Sequence, residues 1–274
     1  MLMQGSIALM CYKECMDSLR QKHTIYSSLN GTMRDISQIT SVMEDRLFAV
    51  YSRYYENISR DIFSSHLREK EKIILLKDRG GIIQGFSTLK VISAAVNGET
   101  LHAVFSGDTI IEEPYRRTPE LVRIFSYYAG QLKKQIGDGH SLYWFLISKG
   151  YKTYRFLPLY ARRFYPTWRE PFPEKEKRIL DAFAGALFPG KYNPATGLIT
   201  FQNPAGKLRA GRGEIPAQRL TDPDISFFSK TNPDHMKGVE LACITELSEH
   251  NLRSITLKYF VRGCTGEHEH VKPV

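Results

Sequence analysis

Between Leu101 and Trp168 the hydrophobic rhythm of the chain changes repeatedly, and that stretch limits what the rest can fold into. LHAVFSGDTIIEEPYRR reads as an apolar strand running into a basic turn. In TPELVRIFSYYAGQLKKQ, the residues Leu121, Ile124, Phe125, Tyr128 and Leu132 share one stripe, which predicts an amphipathic helix over Glu120–Gln135. Thr118 is the expected N-cap, with Pro119 at the first helical position, where its missing N–H costs nothing. Leu142–Ser148 shows no polar alternation, as expected of a strand covered on both faces. Pro158–Tyr165 reads as a short helix rich in arginine and aromatic rings. What lies upstream reads as a lead-in to this unit, and what lies beyond as a lid or extension.

The upstream segments supply two helices and more strands. Ser41 followed by Glu44 is a capping-box pattern, and Val42, Leu47, Val50, Tyr51, Tyr54 and Tyr55 recur at helical spacing through 41–56. A second helical piece runs from Ser59 to Glu71. Lys72–Lys77 and Ile82–Val91 are β-rich runs around the turn Asp78-Arg79-Gly80-Gly81, and the second continues to Val96. Asn97-Gly98 suits a tight hairpin turn, because both residues tolerate positive φ. Leu101–Ile111 is then the returning strand, and 72–111 form a three-stranded antiparallel meander. Residues 1–40 are polar and weakly patterned, with a turn at Leu29–Thr32.

After Trp168 the texture changes. Arg169–Lys177 reads as a linker, and 174–188 as a helix with Ile179, Leu180, Phe183 and Leu187 inward. Tyr192–Gln202 reads as a turn and strand, 203–224 as a loop rich in Gly, Pro and Arg, and Gly238–Leu252 as a final helix. The expected organisation is a lead-in over 1–40, a core over 41–168, and an extension over 169–274 that completes or caps the core.

The formal net charge of +9 favours anionic partners: nucleic acid, a membrane surface, a phosphate-bearing cofactor or an acidic protein. Cys11, Cys15, Cys243 and Cys264 are too few and scattered for a disulfide scaffold, and no zinc-site spacing follows them. No run approaches the ~18 apolar residues of a membrane span. The patch Ile7–Cys11 is too short for a signal segment, so the expectation is a soluble cytoplasmic protein.

The order helix, helix, strand, hairpin, long strand, basic turn, helix, buried strand, helix resembles that of the GNAT acyltransferases. IIQGFSTL is similar to the strand in which they carry a glycine before an apolar residue. GDTIIEEPYRRTPEL resembles their fourth strand running into the pyrophosphate loop, and YARRFYP their short helix ending in an aromatic-Tyr pair. The likeness covers about 41–168. It implies an α+β fold, with a mixed, mainly antiparallel central sheet flanked by helices. It also implies transfer of an acyl group from a thioester, on coenzyme A or acyl carrier protein, to an amine, with no metal. One departure is clear: where these enzymes place a glycine-rich loop, this chain has Arg116-Arg117-Thr118-Pro119-Glu120-Leu121. Two guanidiniums, a hydroxyl and a helix N-terminus keep the anion-binding logic, while Pro119 removes one donor. A basic chain also suits an acidic carrier protein.

From the resemblance, Arg116, Arg117 and Thr118 are the expected phosphate contacts, and the main chain of the long strand, at Ile110, orients the donor. Tyr165 would return a proton to the leaving thiolate, unless it is only a packed ring beside Phe164 and Trp168. Asp108 and Glu112 share a strand face and are candidate bases, with Glu113 opposed; each is also an ordinary strand-end acid. His102 reads as a satisfied histidine, and His268/His270 as a tail rather than a metal site. The aromatic residues interleaved with cations over 143–163 fit an acyl pocket with a basic rim, a nucleic-acid groove, or plain core. The rival to an enzyme is a non-catalytic GNAT-like module binding a lipid, a partner protein or nucleic acid.

Overall fold

In the computed structural model, residues 29–137, 139–201 and 206–267 are described. The cysteine pair 11/15 and the histidine pair 268/270 lie outside them. The long strands are β1 (Asn30–Asp35), β3 (Lys72–Lys77), β4 (Ile83–Val96), β5 (Glu99–Ile111), β6 (Leu142–Ser148) and β10 (Glu240–Glu246). Two-residue strands are β2 (Tyr55–Glu56), β7 (Tyr192–Asn193), β8 (Leu198–Ile199) and β9 (Lys207–Leu208). Eight of them form one sheet in the order β1-β3-β4-β5-β6-β10-β8-β7, while β2 and β9 pair separately. Every contact in the sheet is antiparallel except β5 with β6. The class is α+β, with a mainly antiparallel sheet between helices.

One face is covered by α3 (Glu120–Ile136), α4 (Tyr151–Tyr154), α5 (Phe156–Tyr160), α7 (Pro223–Thr231) and α8 (Ser254–Thr265). The other carries α1 (Ser41–Tyr51) and α2 (Arg60–Arg68) over one end and α6 (Glu174–Leu187) over the other. Helix α3 buries Leu121, Ile124 and Phe125 of the predicted stripe, with Ala129 beside them, while Tyr128 and Leu132 are half-buried, each large buried side chain contributing about 1.5–3 kcal/mol. On its far side Gly130 meets Gly263 of α8. A Cβ at Gly130 would run into the Phe260 carbonyl oxygen, so the two helices cross only because both positions are glycine.

The meander over 72–111 is present as expected. Three expectations are corrected. Residues 30–35 are not a polar lead-in but the edge strand β1, pairing Asn30–Asp35 with Lys77–Lys72. Gly238–Leu252 is not a helix: Leu241, Ala242, Cys243 and Ile244 are all buried because β10 is covered on both faces between β6 and β8. Ser254–Thr265 forms helix α8. The helix expected over 158–165 stops at Tyr160, and the chain then runs extended, with Ala161 bridging Leu252 and Tyr165 bridging Ile244. Among the described residues no helix is long and apolar enough to cross a membrane.

Candidate active site

β5 is the strand on which the site turns. It pairs with β6 in parallel from His102/Leu142 to Ser106/Leu146 and then leaves it, although β5 continues to Ile111 and β6 to Ser148. A β-bulge is the cause. Ser87 opposes Thr109 and Leu89 opposes Ser106, so Gly107 and Asp108 together face Thr88 alone. Such an insertion bends the strand and increases its twist. Gly107 is required there, because a Cβ would lie 2.6 Å from the Thr88 hydroxyl oxygen and 2.9 Å from Lys70 Cε.

Past the bulge the two strands splay. On the α1/α2/α6 side the opening is a cavity of about 370 Å³, lined by Asp108, Glu240, Lys149, Tyr51 and Tyr55 with an apolar wall. On the α3/α5 side Leu121, Phe125, Trp144, Phe156 and Tyr160 leave only about 20 Å³. Thr109 and Thr153 line both spaces, so the two meet at the splay.

Glu240, at the start of β10, is the buried acid of the larger cavity. Desolvation raises its carboxyl above the ordinary range; Lys149, whose Nζ lies 3.3 Å away, opposes the shift, and the charge of Asp108 adds to it. Lys149 also donates to the Gly206 carbonyl at 2.9 Å and lies over the Tyr55 ring. Tyr51 and Tyr55 stack at 4.4 Å, and burial, then the Asp108 charge, pushes both phenols well above their usual range. The Lys149 ammonium is thus the positive centre between a buried carboxylate and two protonated phenols.

The expected site residues separate. Asp108 lines the cavity. Glu112 does not: its carboxylate accepts from Arg53 at 2.6 Å and from the Tyr54 hydroxyl at 3.1 Å, below the basic turn. The Ile110 amide is not the free strand donor. Glu112 N–H bonds to Gln84 O, so by the alternation of an antiparallel ladder the Ile110/Phe86 pair is also hydrogen-bonded, and Thr109 and Ile111 present their amides to the splay. Tyr165 stands on the far side of β6, lining a different cavity of about 230 Å³. There it donates to Glu170 at 2.6 Å and accepts from Arg163 at 2.9 Å, and burial helps push its phenol up to about 12. Tyr160 lines the α3/α5 side of the splay, as Tyr51 and Tyr55 line the other.

At the basic turn the helix begins at Glu120, as expected, but with Pro119 rather than Thr118 at the N-cap position, and the Thr118 hydroxyl accepts from Glu120 N–H at 3.3 Å. Arg117 is exposed. Arg116 lies over the Tyr54 ring at 5.6 Å, and Arg212 over the same ring at 4.9 Å. Both also pair with Glu113, at 3.4 and 3.3 Å. Lys152 donates to Arg212 O at 3.4 Å; desolvation, then the Arg116 charge, holds its ammonium below the usual range. The sequence offered no local signal for Glu240 or Arg212, because both reach the site by pairing of distant strands. Arg212 arrives on the segment led by β9, which pairs with β2 and is tied to α1 by Arg209 Nε donating to Ser52 O at 2.8 Å. Among the described residues no group of three or more histidines, cysteines and acids could hold a metal.

No family model and no curated protein matches this chain. Several solved structures resemble part of it. A conserved protein of unknown function from Enterococcus faecalis V583, described as a probable N-acyltransferase, is similar at 13% identity and TM-score 0.37. The match covers 49% of this chain and 33% of that one, so it spans about a third of that protein's length. The GNAT-family N-acetyltransferase YhbS from Escherichia coli, solved with CoA, is similar at 19% identity and TM-score 0.32, over 47% of this chain and 68% of that one. NAA60 from Arabidopsis thaliana, solved with a bisubstrate analogue, is similar at 15% identity and TM-score 0.33, over 49% and 86%.

Proposed function

We propose that the protein is an N-acyltransferase that moves an acyl group from a thioester to an amine at the splay of β5 and β6. The observation that carries this reading is the bulge at Gly107–Asp108, which parts two strands and leaves a buried carboxylate, Glu240, in the opening. The amine enters from the 370 Å³ side. Glu240, with its raised affinity for protons, takes the proton as the amine nitrogen attacks the thioester carbonyl. A C–N bond forms, the C–S bond breaks, and the thiolate leaves with a proton. The Thr109 and Ile111 amides are placed to polarise the carbonyl. Tyr160 replaces Tyr165 as the phenol able to protonate the thiolate.

The donor's phosphates fall to Arg116, Arg212 and Lys152. Side-chain cations from three segments thereby stand in for the glycine-rich loop, with Arg117 and Thr118 at the helix entrance. Acyl-CoA is the first donor to try, and an acyl carrier protein the second. The test is thiol release from acyl-CoA in the presence of amines, with direct donor titration. If neither acyl-CoA nor acyl-carrier protein binds on the order of tens of micromolar, a range ordinary for enzyme substrates, the donor assignment fails.

One observation favours the second reading, a non-catalytic module. The α3/α5 side of the opening is nearly filled by rings, so a pantetheine arm enters only if Phe156 or Tyr160 moves. Donor binding without thiol release for any amine would select that reading.

A further inference from the structure

The larger cavity is lined by both acids and cations. Asp108 and Glu240 sit at the splay. Away from them runs a wall of three rings: Phe105 packs on Phe188 at 5.9 Å, and Phe188 on Phe201 at 6.0 Å. Lysines frame that wall. Lys70 Nζ lies 5.9 Å from the Phe105 centroid, and Lys191 Nζ 5.2 Å from that of Phe201. Lys90 is the cross-strand partner of Phe105 in the β4–β5 ladder, so it projects on the same face. Glu69 also lines the cavity, but among the described residues no carboxylate lies within ion-pair distance of Lys70, Lys90 or Lys191, whereas Lys149, beside the splay, is matched by Glu240.

On the reading above, in which an amine enters this cavity, we infer that the acceptor is an amphipathic amine that also bears an anionic group, a carboxylate or a phosphate. Asp108 and Glu240 hold the nitrogen, the three rings hold an apolar body, and the lysines hold the anion. A simple amine would leave three ammonium groups around the cavity without an ion-pair partner. An anion there makes charge-assisted contacts that a neutral amine cannot.

L-Phenylalanine and 2-phenylethylamine differ only by the carboxylate, so titrating the full chain with each reads the lysine contribution directly. Phosphoethanolamine against ethanolamine is the phosphate arm. The expected result is a preference of about tenfold or more for the anionic member of at least one pair. That preference should shrink with added salt, and should fall to under about threefold in K70Q/K90Q/K191Q. Equal affinity within both pairs, absence of binding by all four, or a preference that survives the triple substitution overturns the inference. Thiol release, measured separately, distinguishes this from the parent reading. A carboxylate preference without turnover leaves the inference standing and removes the transferase. Turnover that ignores the anion does the reverse.

Discussion

The two sides of the β5/β6 splay are built from the same strands and differ in every other respect. The α1/α2/α6 side is roomy, charged and lined by a buried acid; the α3/α5 side is apolar and nearly full. The difference follows from what each side receives after the bulge. Toward α1, the bulge presents Asp108, and β10 brings in Glu240 with Lys149 opposite. Toward α3, Trp144 stacks with Tyr160 at 5.4 Å and packs at a tilt against Phe125 at 4.8 Å, and its indole N–H is satisfied by Ser106 at 2.8 Å. On the proposed reading, the open face is the one that does the chemistry, and the closed face admits a ligand only when a ring moves.

Removing the acid from the open side should have the largest effect. Glu240→Gln keeps a partner for Lys149 but cannot accept a proton, and a general base is worth roughly 10²–10⁴ in rate. Thiol release should fall by that much, with donor affinity little changed; a loss under about threefold would take the base role from Glu240. Wild-type kcat/KM should rise with pH through the raised carboxyl value. Stability should move the other way. The folded protein holds this proton more tightly than the unfolded chain, so the group favours folding below the unfolded carboxyl pKa of about 4.3 and loses that advantage as pH rises through the folded value. Melting curves of wild type against E240Q, from about pH 4 to about pH 8, should therefore show the wild type losing ground as pH increases.

Next in size is the bulge that creates both sides. Gly107→Ala places a Cβ against the Thr88 hydroxyl and Lys70. The bulge must shift, at an expected cost of about 1–3 kcal/mol in stability from overpacking. Thiol release should drop by more than the melting point explains, since Asp108 and the splay shift together. Full activity in a folded Gly107→Ala protein would show that the strand separation does not depend on this residue.

How far these sides were legible in the sequence follows from the range of the interactions. The meander was readable because Asn97-Gly98 and Gly80-Gly81 are local turn signals, and α3 because its stripe is periodic. Asp108 was found as an acid near the end of an apolar strand. Glu240 was not, because VELACITEL satisfies helical spacing as well as it satisfies a strand buried on both faces, and only pairing with β6 decides between them. Tyr165 was misplaced for a related reason. Leu252 and Ile244 capture Ala161 and Tyr165 in bridges, and no local pattern announces a partner some 80 residues away.

A smaller effect is expected at the basic turn. Arg212→Ala removes one of two guanidiniums above Tyr54 and should weaken acyl-CoA binding about fivefold to tenfold, with a shallower salt dependence. Arg116→Ala should match it, and the double substitution should exceed either. Donor affinity indifferent to both would move the phosphate site elsewhere and leave the open side of the splay unaffected.

The smallest change tests whether the closed side is a gate. Phe156 is only half buried and rests on Tyr160 at 5.6 Å, so Phe156→Leu trims the plug without emptying the core. The stability cost should be about 1 kcal/mol. If the ring must move before a pantetheine arm enters, the free protein binds donor more weakly than an already open one, by the fraction of time the gate stands open. Trimming the ring should then tighten acyl-CoA by about threefold while lowering the melting point by a few degrees, a combination that simple loss of packing does not produce. Weaker donor binding alongside lower stability would instead make Phe156 part of the donor's own wall, and the near-filled space beside α3 would be the shape of the site rather than an obstacle to it.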